Sequence, residues 1–364
     1  MATTEIDSRA QASTEPPHDC GTGPVPRGRL HRPLLAMVAA MIALSIVAAG
    51  GLIVDDRTLL DESVWSKPLK FGIAFTLYGL TLAWLLTLPH RGRRATWWLG
   101  TAFAVTGFLD VGFIAVQAAR GTFSHFNNYD PDPVNVIGQQ IFASSVPGLF
   151  LANLLIVLIL CWQRLADRPT TWAIRAGLAL AIAGMVQAYL MGFTGTQRVV
   201  DAEGRAVELI AGHTVLDPAA RSEAARDGSG LPLIGWSTLG GDLRIPHFLG
   251  LHGIQVLLLA VIVVARLARR HPWLRDERTR AELIGVLALG YAGLFGLTYW
   301  QAMRAQPLLR PDATTLGALA ALITVVVCLT ALVYRRARAE RNQPGSPAPE
   351  SARISAAVRP HGRA

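Results

Sequence analysis

The chain has 364 residues, of which 51% are hydrophobic and 16% charged, with a formal net charge of +9. Soluble domains carry roughly 25% charged residues, so this composition excludes an ordinary soluble enzyme. A bilayer crossing needs about 20 consecutive apolar residues; eight such stretches can be drawn, and together they hold one charged side chain, Asp110.

The stretches are 34–54, 71–88, 97–119, 136–161, 176–194, 247–265, 283–303 and 313–334. They predict an all-α, polytopic helical membrane protein of about eight transmembrane helices occupying residues 33–335. Residues 1–32 and 336–364 are rich in Pro, Ser, Ala, Gly and Arg without apolar periodicity, and read as disordered basic tails. The first apolar run is longer than the 7 to 15 residues usual for a signal-peptide core and follows a long polar tail, which favours an uncleaved anchor.

Span 2 opens with Trp65-Ser66-Lys67-Pro68-Leu69-Lys70-Phe71, which contains the only two lysines of the chain. Pro68 suits a first helical turn, and that helix end already carries partial positive charge, so two ammonium groups there call for an anion nearby. Asp55, Asp56, Asp61, Glu62, Asp110 and an external anion are the candidates; snorkelling to lipid phosphates is the plain alternative.

Asp110 sits near the middle of span 3, where an ionised group costs several kcal/mol, and Gln117 lies seven residues on, along the same helical face. Two readings stand: a hydrogen-bonded carboxyl that glues helices, or a proton carrier, cation ligand or lysine partner. The loop Asn127-Asn128-Tyr129-Asp130-Pro131-Asp132-Pro133 lacks the spacing of a calcium loop and reads as a turn. Further polar residues fall in one half of the spans: Gln139, Gln140, Ser144 and Ser145 in span 4, Gln187 in span 5, Gln255 in span 6 and Gln301 in span 7.

The long connection 195–246 is too polar for an independent domain and carries short strand or helix signals at 207–210 and 218–225. In span 6, His247 and His252 are five residues apart, about 140° around a helix, which predicts one histidine lining a cavity and the other meeting a neighbour. With His125 at the end of span 3 they form the candidate haem or transition-metal set. The alternative is hydrogen-bonding histidines at helix interfaces.

Of the 34 lysines and arginines, 23 fall on the side of the N-terminus if the spans alternate. The positive-inside rule then predicts a plasma (inner) membrane protein with both termini cytoplasmic, contacting anionic lipid, with no nucleic-acid partner needed to explain the basicity. None of the three cysteines, Cys20, Cys161 and Cys328, falls outside, so no external disulfide is expected. The spacing Gly-x4-Gln recurs at Gly112/Gln117, Gly192/Gln197 and Gly296/Gln301, extended to Gln-Ala-X-Arg at 117–120 and 301–304, and suggests parallel duplication of helical hairpins.

The strings Trp65 to Phe71, Gln117 to Asn127 and Asp242 to Gln255 resemble a family of uncharacterised bacterial multi-spanning membrane proteins. The resemblance implies location and topology, and no activity, cofactor or site. There is no phosphate-binding glycine loop, nucleophile elbow, His-Glu-X-X-His or Cys-X-X-Cys, which lowers the expectation of an enzyme.

Three functions fit the residues. The first is binding or transport of a small solute or ion in an outward-facing polar pocket of Asp110, Gln117, Lys67, Lys70, Gln187, Gln255 and Gln301. The second is a b-type haem or metal-binding redox protein using His125, His247 and His252. The third is a sensor or assembly factor acting through the long loop. Oligomeric state is not legible in the sequence.

Overall fold

The computed structural model describes residues 30–217, 226–228, 230–232 and 234–342. Cys20, the signal at 218–225 and most of the two tails lie outside the described residues. Within them are eight helices long and apolar enough to cross a membrane: α1 (Arg32–Val54), α2 (Ser66–Leu85), α3 (Arg93–Ala119), α4 (Pro133–Cys161), α5 (Arg168–Ala188), α6 (Arg244–Arg270), α7 (Glu277–Met303) and α8 (Ala313–Asn342). The last helix runs past the boundary expected at 335, because 336–342 keep helix-forming Arg, Ala and Glu with an Arg336–Glu340 pair one turn apart.

Local sequence explains where the helices begin. Asp132, Asp167 and Asp276 accept the backbone N–H three residues on, capping α4, α5 and α7, and proline occupies the first turn of α1, α4 and α5. Each such cap is worth about 1 kcal/mol.

The α1–α2 and α5–α6 connections leave the bundle at the same end, opposite the two ends of the helical region, and carry the described strands. Antiparallel β1 (Thr58–Leu59) and β2 (Glu62–Ser63) form one hairpin; β3 (Gln197–Val200) and β4 (Ala206–Leu209) form another, with Gln197 opposite Leu209. Their alternation turns Val199, Val207 and Leu209 inward. A third pair, β5 (Thr214–Val215) with β6 (Gly241–Asp242), ties the middle of the long connection to its end just before α6. We call this end the cap.

The helices fall into two four-helix halves with one packing pattern. In the first, α1 packs on α2 and α3, and α3 on α2 and α4; in the second, α5 packs on α6 and α7, and α7 on α6 and α8. The hairpin of each half closes on a glycine four residues after a proline. Gly72 follows Pro68 and faces Ser45 and the Met41 carbonyl of α1; Gly250 follows Pro246 and faces Gly184 of α5. A Cβ on Gly250 would stand 2.6 Å from Gly184 Cα and 2.8 Å from the Leu180 carbonyl oxygen, so backbones touch there as small residues in membrane helices permit.

The Gln-Ala-X-Arg match has a structural counterpart. Gln117 and Gln301 each donate from Nε2 to a carbonyl six residues on, Phe123 O (3.2 Å) and Pro307 O (2.8 Å). Gly121 and Ala305 turn left-handed at φ +69 and +56, and Arg120 and Arg304 each pair with the aspartate that caps the next helix, Asp132 and Asp312. The third expected member departs: Gln197 lies in β3 rather than at a helix end. Its side chain serves the cap instead.

The half of the bundle away from the cap is packed solid. Leu34, Leu82, Leu85, Ile156 and Leu160 are all at most 2% exposed.

Candidate functional site

Toward the cap the packing opens into a cavity of about 470 Å³, within the range of small-molecule sites. It lies between α2, α3 and α4 of the first half and α5 and α6 of the second, roofed by the α1–α2, α3–α4 and α5–α6 connections. On α2 the positions 67, 71, 74, 75 and 78 share one face and all line it, so Lys67 stands at its mouth and Tyr78 about 16 Å deeper. Phe75, Phe103, Phe142 and Phe248 are part of the wall, together with Leu149 and Met185.

Six of the ten residues singled out from sequence line this cavity: Lys67, Lys70, Asp110, His125, His247 and His252. The four glutamines do not. Gln117 bonds Phe123 O and Asn135 Oδ1 and is a hairpin clamp; Gln301 is its counterpart. Gln255 reaches Thr81 on α2 (3.2 Å), and Gln187 is buried without a partner for either amide atom among the described residues. The expected polar pocket is thus an amphipathic one, with charge at its mouth and an aromatic interior. Both helix-6 histidines face it, where the 140° offset predicted a split, because the cavity wraps around that side of α6. His247 also holds α5 through a 2.9 Å contact between Nδ1 and Gly184 O.

Asp110 is 6% exposed and its Oδ1 bonds Ser145 of α4, so the carboxyl glues two helices while facing the cavity. Lys70 donates to Glu62 (2.6 Å) and to Ile234 O (3.1 Å), pinning the cap to α2. Arg244, at the start of α6, is bound by Asp242 through its backbone N–H and guanidinium, and also donates to Gly235 O. Asp55, one of the expected lysine partners, is instead held by Arg57 and Trp65 Nε1, whose hydrogen bonds keep its carboxyl well below the usual carboxylate range.

Sequence reasoning missed Asp227 as a site residue and left His213 unassigned. Asp227 accepts from the backbone N–H groups of His213 (3.0 Å) and Thr214 (3.0 Å), from Gln197 Nε2 (2.9 Å), and contacts His213 Nδ1 (3.2 Å). Burial alone would raise its pKa, but these donors outweigh it and hold the carboxylate ionised. Burial lowers the His213 pKa against the pull of Asp227. A neutral ring bonded through Nδ1–H leaves Nε2 as an acceptor beside the cavity it lines.

His125 packs edge-on to Phe142 at 4.4 Å and near Phe71 at 5.8 Å. Burial, then the nearby Lys67, His213 and His247, push its pKa well below the ordinary histidine value. Among the described residues no three His, Cys, Asp or Glu side chains gather as metal ligands. His125, His247 and His252 therefore do not form the three-ligand metal set expected from sequence: their rings pack on Phe142 and Phe248.

No family model, no curated protein and no solved structure matches this chain.

Proposed function

We propose that this multi-pass membrane protein binds a small, largely apolar solute in the cavity beneath its cap. The observation that carries the reading is the cavity itself: about 470 Å³, lined by many aromatic side chains and by Lys67, Lys70, Arg244 and four histidines drawn from three segments. The solid packing at Leu34, Leu82, Leu85, Ile156 and Leu160 supports binding from the cap side. The excess of arginine on the side of the chain ends supports a plasma-membrane orientation with cytoplasmic termini and an outward cap. The strings that resemble a bacterial multi-spanning family are in keeping with that placement, since all three border the cavity or its roof.

Scintillation proximity with tritiated 1-dodecanol tests the reading. Saturable, near-stoichiometric binding is expected, and Ala74→Trp, which fills the cavity from α2, abolishes it. Binding that is unsaturable, or that survives Ala74→Trp, defeats the proposal.

A further inference from the structure

Three carboxylates line the cavity, and each has its partners. Glu62 takes Lys70, Asp227 is filled by Gln197, His213 and Thr214, and Asp110 meets Ser145. Arg244 is engaged by Asp242. Lys67 alone of the cavity's cations has neither a carboxylate within 4.0 Å nor a hydrogen bond among the described residues, although it is half-buried at the mouth of a mostly apolar space. An ammonium group taken out of water costs several kcal/mol unless it meets an anion or comparable acceptors.

The residues around Lys67 fit an anion. Arg244 and Lys70 lie within electrostatic range, and the two carboxylates that also do, Glu62 and Asp227, are already taken up by Lys70 and by Gln197, His213 and Thr214. Below them the wall is aromatic and aliphatic down to Phe103 and Tyr78, with Asp110 as the single acid. A small inorganic anion would leave that lower space unfilled. A neutral apolar solute would leave Lys67 unpaired.

Resting on the binding reading above, we propose that the cavity takes an anionic amphiphile. Its one acidic group sits on Lys67 beside His125 and His213, and its apolar chain runs past Phe75 toward Tyr78 and Phe103. The recognition chemistry is shared by long-chain carboxylates and by alkyl phosphate monoesters, and the experiment separates these two sources.

The full chain is purified, and binding of tritiated 1-dodecanol and tritiated dodecanoate is measured directly, with dodecyl phosphate and inorganic phosphate as competitors. A charge-assisted contact predicts that at least one of the two acids binds about tenfold or more tighter than the alcohol. Whichever acid is preferred identifies the head group. Lys67→Met is expected to remove the preference for the acids over the alcohol, with helical melting close to that of the unaltered protein reporting that the variant is folded; Lys67→Arg restores the preference. Equal binding of alcohol and acids by the unaltered protein overturns the inference and leaves the binding reading standing. So does a preference that survives Lys67→Met, or full competition by inorganic phosphate alone. Failure of all three amphiphiles to bind overturns the binding reading itself.

Discussion

Asp227 ties the cap to the cavity, and removing its carboxylate has a calculable cost. In Asp227→Ala the backbone N–H groups of His213 and Thr214, each at 3.0 Å, lose their acceptor, and Gln197 Nε2, at 2.9 Å from the carboxylate, keeps only its 3.4 Å bond to Ala211 O. A buried donor left unpaired costs about 1–3 kcal/mol, so the two backbone groups together give about 3 kcal/mol toward the lower part of that range. That energy falls on the cap, because β3, β5 and the 226–228 turn are the segments joined there, whereas no helix contributes a bond to Asp227. Local opening of the cap should rise by on the order of a hundredfold, at 1.4 kcal/mol per factor of ten. Native-state proteolysis measures it: trypsin should cut at Arg198 and Arg205 that much faster, while helical melting of the bundle stays close to that of the unaltered protein. A cleavage rate within a factor of two of the original would refute the reasoning, and would mean that Asp227 does not hold the cap.

Three other outcomes follow from the geometry. His125 and His213 have folded pKa values below the ordinary 6.5, so their contribution to stability is complete above pH 6.5 and is lost as pH falls below it toward the folded values; melting temperatures from pH 7.5 to 5 should decline, and His125→Phe, which keeps the aromatic packing on Phe142, should flatten that decline. Gly250→Leu places a side chain against Gly184 and the Leu180 carbonyl, both backbone, and should cost about 3 kcal/mol or more by forcing α5 and α6 apart, read as loss of the folded protein in size-exclusion chromatography. With native cysteines replaced, Glu203→Cys in the exposed turn between β3 and β4 should react with a membrane-impermeant maleimide in intact cells; labelling only after lysis would reverse the orientation argued from the arginines.

The eight helices were legible because a bilayer crossing imposes an uninterrupted apolar run, and only Asp110 breaks one. Asp110, His247 and His252 were legible for the same reason, since polar groups within an apolar run stand out, and Lys67 because the chain holds only two lysines, both at one helix start. The glutamines stood out equally, yet Gln117 and Gln301 close helical hairpins, since an amide satisfies loop carbonyls as readily as it meets a solute. The aromatic wall was present in the spacing of Lys67, Phe71, Phe75 and Tyr78 along one face of α2, but apolar residues are expected everywhere in a span and carry little contrast there. Asp227 had no local signal at all. Its role depends on long-range closure of β3, β5 and β6 around it, which no periodicity in the 195–246 connection encodes.

The claim that the cavity beneath the cap holds an amphiphile by its acid group is tested most directly by an experimental structure with 12-bromododecanoate, using the bromine's anomalous signal. The account predicts one strong bromine site near Tyr78 and Phe103, with the carboxylate on Lys67. Bromine sites confined to the outer surface of the helix bundle, with the cavity free of ligand density, would contradict it.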